Sequence, residues 1–504
     1  MTNIHKKNIN AAENLQDYNY TCTVKQRIHM KPIIAISSLI LLFSCSTKEL
    51  SYTSSDKNLE KTFEWARETA LSYAHYGEDP VGLWYEAALP SRYAFCMRDA
   101  SHQSIGAEIL GLSGHNYNMM QKFAANISES KDWCTYWEID KWDKPCEADY
   151  EDDKDFWYNL NANFDVTDAC WRLYEWTGDR RYLEDEVFMN FYDISCKEYV
   201  QSWKLAPEDM LTRDREVNRL NGKRFGLCRG IPSYVESVGH MNNSADLIGT
   251  IYGGFSAYAH ILAETGRTEE AASYEAKAEE YRSHLDSCWW DENAGTYHTF
   301  LWSDGSFGEG EGLTHVLWFN IVNDPERISK TAAKMMERKE WNIENISYFP
   351  ALWYRYAYKD EAYAILSSIT EAERKEYPEV SFGMIEGIIC GMMGISPSAS
   401  RLNISTLPQI SGEHWMEVSA LPMLGGLIDV RHDSNSSTTL RNRCRQSIIW
   451  QACFYGEFEN IEINGRKHPA LHSNDAMGNP ISYIEVKVRP GRKISCSIQH
   501  DGLI

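Results

Sequence analysis

The sequence lacks the short motifs that mark many cofactor-dependent and nucleophilic enzymes. It contains no CxxC pair, no HExxH zinc motif, no phosphate-binding Walker loop and no GxSxG nucleophile elbow. These absences argue against a zinc centre, a nucleotide site and a serine hydrolase. We expect no cofactor apart from calcium, for which the acidic run 147–155 would supply oxygen ligands. A solvated acidic face is the alternative interpretation of that run.

Positive charge is also scarce. The chain has 50 Lys and Arg against 72 Asp and Glu, which gives a formal net charge of −22. This balance argues against nucleic acid as a partner, because a polyanion needs a basic surface. The 13 cysteines are irregularly spaced, so they indicate neither a zinc site nor a regular disulfide framework. Most of them are interpreted as small buried hydrophobic residues.

Long hydrophobic runs are missing too. The apolar run 33–43 follows a basic region and is too short for a comfortable membrane span. Leu42-Phe43-Ser44-Cys45 resembles a bacterial lipobox, which implies lipidation of Cys45, and Lys48-Glu49 resembles the export signals of Bacteroidetes-type surface lipoproteins. Residues 1–57 are therefore predicted to be a signal peptide and tether of an exported lipoprotein on the periplasmic or cell-surface face of the outer membrane. A buried strand or helix is the alternative for the run.

Helical periodicity dominates residues 58–398, the predicted catalytic domain. Apolar residues recur there at three- and four-residue spacing. The pattern predicts twelve helices, at 59–76, 100–112, 117–127, 160–176, 182–203, 244–264, 269–288, 313–322, 327–338, 346–358, 361–369 and 380–393. Gly178 and Gly266 stand where a helix C-terminus favours a left-handed residue, followed by an acidic or hydroxyl residue that would cap the next helix. Six such hairpins predict an (α/α)6 toroid.

Strand patterns take over in residues 399–504. Alternating runs predict strands at 415–421, 426–431, 437–443, 447–453, 459–463 and 483–488. Asn464-Gly465 is typical of a hairpin turn, and Pro490-Gly491 of another turn. The fold class is therefore mainly α, with a small C-terminal β-sandwich.

An adjacent Arg98-Asp99 pair stands out at the start of a predicted helix. A guanidinium beside a carboxylate offers fixed donors and acceptors, which suit the neighbouring hydroxyls of a sugar. An ordinary ion pair at a helix end is the alternative. The surrounding run 94–103 resembles the Met-Trp-Leu-Arg-Asp-Ser-x-x-Gln motif of six-hairpin exo-α-mannosidases and the Arg-Asp motifs of glucoamylase-type enzymes. The run 393–408 resembles the junction between toroid and β-domain in α-rhamnosidase-like members.

The resemblance covers most of residues 58–460 and implies a six-hairpin glycosidase. It implies that Arg98 and Asp99 bind the terminal sugar and that hydrolysis inverts the anomeric centre. The chain has Phe95-Cys96 where the mannosidases have Trp-Leu, so specificity for mannose does not follow.

Glycoside hydrolysis needs two carboxyl groups, separated by roughly 6.5–9.5 Å in the inverting mode. Two carboxylates are the predicted catalytic pair. Glu236 ends a long loop before a helix, where a general acid would face the mouth, although a residue that satisfies the helix dipole fits equally. Glu386 is a charge within an apolar run, which argues for a function over a buried salt bridge. Its late position matches where relatives place the general base.

Further substrate contacts are predicted for Gln103, Trp137, Glu138 and Tyr234, with Arg98 and Asp99 as the sugar clamp. The leading hypothesis is an exported, inverting, exo-acting glycosidase that removes a terminal sugar from an oligosaccharide or polysaccharide. A polysaccharide lyase on a related toroid is the second, with Tyr234, His240, Asn242 and Asn243 as its candidate residues. The third is a non-catalytic glycan-binding lipoprotein, which would need no pair of carboxylates.

Overall fold

The computed structural model of the 504-residue chain describes residues 49–214, 218–219, 228–235 and 241–499. All of them belong to one contact unit that starts at Lys48. Cys45, Glu236 and His240, which carry predictions from the sequence, lie outside the described residues. Within these ranges, no helix is both long and apolar enough to cross a membrane.

All twelve predicted helices are confirmed. The described residues form α1 (Lys57–Ser72), α2 (Met97–Ile109), α3 (Ser113–Ala125), α4 (Ala162–Thr177), α5 (Arg181–Glu184), α6 (Glu186–Cys196), α7 (Glu198–Trp203), α8 (Ala245–Glu264), α9 (Thr268–Cys288), α10 (Leu313–Trp318), α11 (Pro325–Glu337), α12 (Ile343–Arg355), α13 (Lys359–Ser368) and α14 (Pro378–Glu386). The helix predicted at 182–203 is broken into α5, α6 and α7. Asp185 causes the first break, because its backbone is extended and its side chain caps α6 by accepting from Val187 N.

Short helical turns complete the helical half. They lie at Glu129–Lys131, Pro207–Asp209 and Ile369–Glu371, and α14 continues directly into a π-helix at Gly387–Met392. Gly178 and Gly266 adopt the predicted positive φ of 73° and 82°. The predicted caps are found only in part: Asp179 accepts from Arg181 N at the start of α5, whereas α9 has no side-chain cap.

Six helices contact one another in cyclic order. Helix α2 packs on α4, α4 on α8, α8 on α10, α10 on α12, α12 on α14, and α14 returns to α2. The remaining long helices lie against this set, with α9 on α8, α13 on α12 and α1 on α14. We call the first six the inner helices.

The loops at the two ends of the inner helices differ in length. Long connections lead into the N-termini of α2, α4 and α10, at residues 73–96, 126–161 and 289–312. Short ones leave the C-termini of α2, α4, α8 and α12, at residues 110–112, 178–180, 265–267 and 356–358. Among the described residues, the longest connections therefore lie at the N-terminal end, which is where binding residues usually lie on a rigid scaffold.

Fifteen short strands among the described residues accompany the helices. They are β1 (Ser51–Ser54), β2 (Ala74–Tyr76), β3 (Leu83–Tyr85), β4 (Ala94–Cys96), β5 (Glu138–Asp140), β6 (Tyr150–Asp152), β7 (Asp155–Phe156), β8 (Tyr158–Asn159), β9 (Asn218–Arg219), β10 (Cys228–Ile231), β11 (Met241–Ser244), β12 (Trp290–Asp291), β13 (Thr296–Tyr297), β14 (Phe300–Trp302) and β15 (Phe307–Gly308). Antiparallel pairing of β4 with β5 sets Cys96 opposite Glu138 and fixes the backbone that enters α2.

The C-terminal part is built of two sheets. Its strands are β16 (Ser396–Ser398), β17 (Asn403–Thr406), β18 (Trp415–Met423), β19 (Gly426–Asp433), β20 (Ser437–Asn442), β21 (Ile448–Tyr455), β22 (Asn460–Ile463), β23 (Arg466–Pro469), β24 (Leu471–Asn474), β25 (Pro480–Val488) and β26 (Lys493–Ser497). One sheet has the order β1-β18-β19-β20-β26-β22-β23, and the other β16-β17-β21-β25-β24. The six predicted strands are confirmed, as is the Asn464-Gly465 turn, with φ of 49° and 79°.

Residues 51–57 correct the predicted tether. Strand β1 pairs antiparallel with β18, with Tyr52 opposite Val418, and Asp56 caps α1 by accepting from Asn58 N and Leu59 N. Tyr52 is buried and stacks on Phe63 of α1. The segment was assigned to a tether because it is polar, but alternate side chains of β1 are buried.

Two glycines let the inner helices approach closely. A Cβ on Gly383 of α14 would lie 2.5 Å from the carbonyl oxygen of Ser347 in α12. A Cβ on Gly106 of α2 would lie 2.4 Å from the carbonyl oxygen of Phe382. Both obstacles are backbone atoms, so a side chain at either position forces two helices apart.

We expect Gly383→Ala to lower the free energy of unfolding by about 3 kcal/mol or more, because overpacking against backbone cannot relax by a rotamer change. Gly114→Ala in α3 is the matched control, since its Cβ meets only the flexible Leu83 Cδ1 at 3.0 Å. The control should change stability by less than about 1 kcal/mol. Urea unfolding followed by circular dichroism compares the two variants, and equal midpoints would contradict the close approach.

Candidate active site

The N-terminal ends of three inner helices, α2, α10 and α12, border a cavity of about 250 Å³. Its walls include Arg98, Tyr234, Glu311, His315, Glu344 and Tyr348. Four of these residues stand in the first turns of α2, α10 and α12 or close to them, so the helix starts aim their side chains at one space. We call this space the mouth cavity.

Arg98 connects two carboxylates at this cavity. Its Nε donates to Asp99 Oδ1 at 3.1 Å, and its Nη2 donates to Glu344 Oε2 at 3.1 Å. Asp99 is buried, whereas 29% of the Glu344 side chain is exposed. The predicted Arg98-Asp99 ion pair therefore exists, and a third partner from α12 turns it into a bridge across the helix ends.

Glu379 adds a third carboxyl group beside the pair. It lies in the first turn of α14, after Pro378, and is 2% exposed. Burial raises the pKa of Glu379 well above its usual range, and the charges of Asp99 and Glu344 raise it further. Its Oε2 has no hydrogen-bond partner among the described residues. Burial also raises the pKa of Asp99 to about 6, although the Arg98 guanidinium opposes that rise.

Tyr234 is held between three groups at the wall of the mouth cavity. Its hydroxyl donates to Asp165 Oδ2 at 2.6 Å, and its backbone N–H donates to Asp246 Oδ2 at 2.7 Å. The Arg98 guanidinium lies 5.3 Å from the centre of its ring. Ser233 Oγ also donates to Asp246, so the first turn of α8 fixes the loop that carries both residues. Tyr234, a predicted substrate contact, thus lies beside Arg98 at the wall of the mouth cavity.

Asp165 is a titratable group that the sequence did not single out. It lies in the first turn of α4, and burial raises its pKa to about 7, although the bond from Tyr234 opposes that rise. A carboxyl whose pKa is raised in the folded state stabilises the fold at low pH, and that contribution is lost as pH rises through the folded pKa.

We therefore expect Asp165→Asn to gain stability relative to the native protein as pH rises from 4 to 8, by a few kcal/mol at most. Asn retains the oxygen that accepts from Tyr234 but carries no proton to lose. Chemical unfolding at several pH values measures the difference, with Asp360→Asn, at an exposed position of α13, as control. A difference that is independent of pH would show that Asp165 is ionised throughout.

Aromatic residues close the inner side of the mouth cavity. Tyr348 stacks on His102 with ring centres 3.5 Å apart, and Trp318 meets Tyr348 edge-on at 4.9 Å. The ring of His315 lies 4.7 Å from that of Tyr234. Burial and the Arg98 charge lower the pKa of His315 to about 3, so its imidazole is neutral. Its Nε2 has no partner in the described part of the chain.

Glu311 also lines the mouth cavity and is held in place. Arg338 Nη2 donates to its Oε1 at 2.6 Å, and Asn345 Nδ2 donates to its Oε2 at 3.2 Å. Glu311 belongs to the Gly-rich run 308–312. The glycine at 312 has a φ of 124°, which a side chain would strain, and it brings the chain against Asp246 at the start of α8.

Three predicted substrate contacts do not line the mouth cavity. Gln103 is completely buried one turn after Asp99, with neither amide atom hydrogen-bonded to a described residue. Trp137 is 6% exposed, and its carbonyl accepts from Met97 N at the start of α2. Glu138 accepts from Arg92, which also binds Asp149, and burial raises the pKa of Glu138 to about 8. Trp137 and Glu138 thus hold the backbone that leads into α2 and do not face the mouth cavity.

The structure places Glu386, a predicted catalytic carboxylate, apart from the mouth cavity. It lies seven residues after Glu379 on the same helix, about 10 Å further along the axis. It borders a second cavity, whose walls include no residue of the mouth cavity. The catalytic role of Glu386 stays a prediction. The sequence showed a charge in an apolar helix, but not the depth at which it stands.

Glu236 cannot be placed, since it lies outside the described residues. Val235, which precedes it, lines the mouth cavity. Of the residues named for lyase chemistry, Asn243 is buried and donates to Met210 O at 3.0 Å, away from the cavity walls. Sequence inspection missed Glu344, Glu379 and Asp165. Their one shared signal is an acidic residue in the first turn of an inner helix, which is also common where it only satisfies the dipole.

Comparison with known proteins gives a clear result for the fold. No protein-family model matches the sequence, and no curated protein matches it. Among solved structures, an α-L-rhamnosidase from Dictyoglumus thermophilum matches 89% of this chain at 13% identity and a TM-score of 0.59. A GH78 family rhamnosidase of Bacillus sp. GL1 matches 78% at 12% identity and 0.52. A structure described as a kojibiose phosphorylase from the human microbiome matches 88% at 9% identity and 0.55.

These similarities show a fold shared with (α/α)6-type glycoside hydrolase structures that also carry sheet domains, as the resemblance in the sequence implied. The chain spans 50%, 40% and 68% of the lengths of those three proteins, respectively. At identities of 13% or lower, these similarities show the arrangement of the backbone only. The reaction has to be inferred from the residues of the site.

Proposed function

We propose that this protein is a glycoside hydrolase that removes a terminal sugar in the mouth cavity. The observation that carries the proposal is the pair of hydrogen bonds made by Arg98. It binds the buried Asp99 and the partly exposed Glu344 carboxylate at the same time. Charged donors and acceptors at fixed spacing suit vicinal hydroxyls, and several carboxyl groups in one cavity suit acid–base hydrolysis. The cyclic contacts of the inner helices support an (α/α)6 toroid with this cavity at its mouth.

The size of the cavity supports exo action. About 250 Å³ is at the lower end of the range of small-molecule sites, which suits one sugar ring better than an extended chain. The carboxylates at its rim are then available to the bond that links this ring to the next. We propose that hydrolysis inverts the anomeric centre, as the resemblance to six-hairpin enzymes implies.

We assign the general base to Glu344 in place of Glu386. Glu344 is the carboxylate of the Arg98 bridge that water can reach, since 29% of its side chain is exposed. Arg98 fixes its orientation through Oε2. Glu236 stays the proposed general acid, because Val235, its neighbour in the chain, borders the same cavity. Asp99 and Glu379 are more buried than Glu344. They would accept hydrogen bonds from the bound ring or donate hydrogen bonds to it.

A panel of aryl glycosides and natural oligosaccharides tests the function. We expect release of one monosaccharide type from the non-reducing end, and no product that absorbs as an unsaturated uronate. Heat-treated protein and Glu361→Gln, which changes an exposed carboxylate on α13, are the controls. An unsaturated product would replace this proposal with a lyase, and no turnover of any substrate would favour a binding protein.

We further propose export and lipidation at Cys45, on the strength of the lipobox-like sequence alone. In a bacterial host, Cys45→Ser should move the protein from the membrane fraction to the soluble fraction. Cys96→Ser, at a buried site in the body of the protein, is the control. An unchanged distribution of the Cys45 variant would contradict anchoring there.

A further inference from the structure

A second, larger cavity lies on the C-terminal side of the inner helices. Its volume is about 760 Å³, and its walls include Trp171, Arg172, His260, Arg355, Glu386 and Cys390. Strand β16 and the turn after it, with Ser396 and Ser400, form part of its rim. We call it the far cavity.

An aromatic layer separates the far cavity from the mouth cavity. Tyr348 lines the mouth cavity, and its ring meets the ring of Trp318 edge-on. The guanidinium of Arg355 lies 4.9 Å from the ring of Trp318, and that of Arg172 lies 5.7 Å from it. Both guanidiniums border the far cavity. A ligand in the far cavity therefore cannot be the sugar that is hydrolysed at the mouth.

Glu386 presents an unused acceptor to the far cavity. It is 6% exposed, and its Oε2 receives no hydrogen bond from any described residue. A carboxyl group that has left water without a partner costs free energy, which a ligand can restore by donating to it. Burial raises the pKa of Glu386, against the opposing charges of Arg172 and Arg355.

Arg172 presents an unused donor beside it. Its Nε donates to Asp168 at 2.8 Å and its Nη2 to the carbonyl of Ser101 at 3.0 Å, which fix the guanidinium plane. Its Nη1 is buried and has no partner among the described residues. The Glu386 acceptor and the fixed Arg172 donor match two neighbouring hydroxyls of a sugar.

Two further observations point to a ligand. Trp171 is partly exposed and stacks on His260, which supplies an aromatic surface for the apolar face of a sugar ring. Directly after Glu386 the inner helix becomes the π-helix Gly387–Met392, whose Cys390 and Gly391 border the cavity. Single π turns occur often at functional sites, because they turn side chains out of the regular helical register.

The charges around the far cavity favour a neutral ligand. Its walls carry three arginines and three glutamates: Arg172, Arg355, Arg401, Glu175, Glu264 and Glu386. An anion would gain from the arginines and lose as much to the glutamates. We propose that the far cavity is a second binding site, specific for a neutral saccharide and separate from the site of hydrolysis.

Calorimetric titration of the full chain tests the proposal, with maltose, cellobiose and L-rhamnose as neutral probes and D-glucuronate and phosphate as charged ones. The background is Glu344→Gln, so that binding is measured apart from hydrolysis. We expect at least one neutral probe to bind, and Glu386→Gln to weaken this binding at least tenfold. Ser400→Trp, at an exposed rim position, should do the same without touching the core.

Ser473→Trp on the exposed strand β24 is the matched control and should bind as the background does. Three results would overturn the proposal: no neutral probe binds, both rim and Glu386 variants bind as tightly as the control, or glucuronate or phosphate binds more tightly than every neutral probe. The measurement detects binding and not turnover. Its result therefore tests the far cavity even if the protein is not a hydrolase.

Discussion

Glu344→Gln is expected to lower kcat by about 10²–10⁴-fold, with a much smaller change in KM. The amide keeps the size of the side chain and can still accept from Arg98 Nη2. It cannot take a proton from an attacking water, so the step that depends on a base slows while the sugar still binds. Initial rates at saturating and limiting substrate separate the two parameters.

The control for this prediction is Glu361→Gln, which makes the same chemical change on the exposed face of α13. It should retain the native kcat and KM. Full activity of Glu344→Gln would show that Glu344 only orients Arg98, and the base would have to be sought among Glu311 and the other carboxylates of the mouth cavity.

Arg98→Met is expected to lower kcat/KM by about 10²-fold or more. Removing one partner of a buried charged hydrogen-bond pair costs about 2–5 kcal/mol, and Arg98 serves two carboxylates at 3.1 Å. Asp99 and Glu344 would then lose the cation that they share. The effect should appear in KM as well as kcat, since the clamp for the sugar is lost.

The pH profile offers a second readout of the same variant. Arg98 lowers the pKa of Asp99, which burial raises to about 6, so its removal should raise that pKa further. A limb of the profile that follows Asp99 should move to higher pH. Arg180→Met, at an exposed helix pair with Glu184, controls for the loss of a charge. An unmoved profile with normal KM would contradict the role of Arg98 as the clamp.

Periodicity was sufficient to predict the helices and six of the C-terminal strands. Helices with one apolar stripe, such as α1 and α11, repeat every three to four residues, and strands such as β19 alternate buried and less buried positions. The elements that were missed carry weaker signals. Strands β23 and β24 are exposed along their whole length, and β1 pairs with a strand more than 360 residues away.

The site was only partly predictable, because it depends on depth along the inner helices. Arg98 and Asp99 belong to the recognisable sequence run 94–103, and Tyr234 follows a segment rich in turn residues. Glu344 and Glu379 have no such neighbours, and only the packing of α14 on α2 and of α12 on α14 brings them to Arg98. Glu386 was predicted to be catalytic because its sequence neighbours are apolar. That pattern indicates a buried side chain but does not show which cavity the side chain borders.

The most direct test compares Glu344→Gln with Glu386→Gln on the same substrate. The two variants make the same change at the two cavities, one at the N-termini of the inner helices and one about 10 Å along α14. A site of hydrolysis at the mouth predicts that kcat falls at least 100-fold further in Glu344→Gln than in Glu386→Gln. A larger loss in Glu386→Gln would contradict it and would place the chemistry in the far cavity.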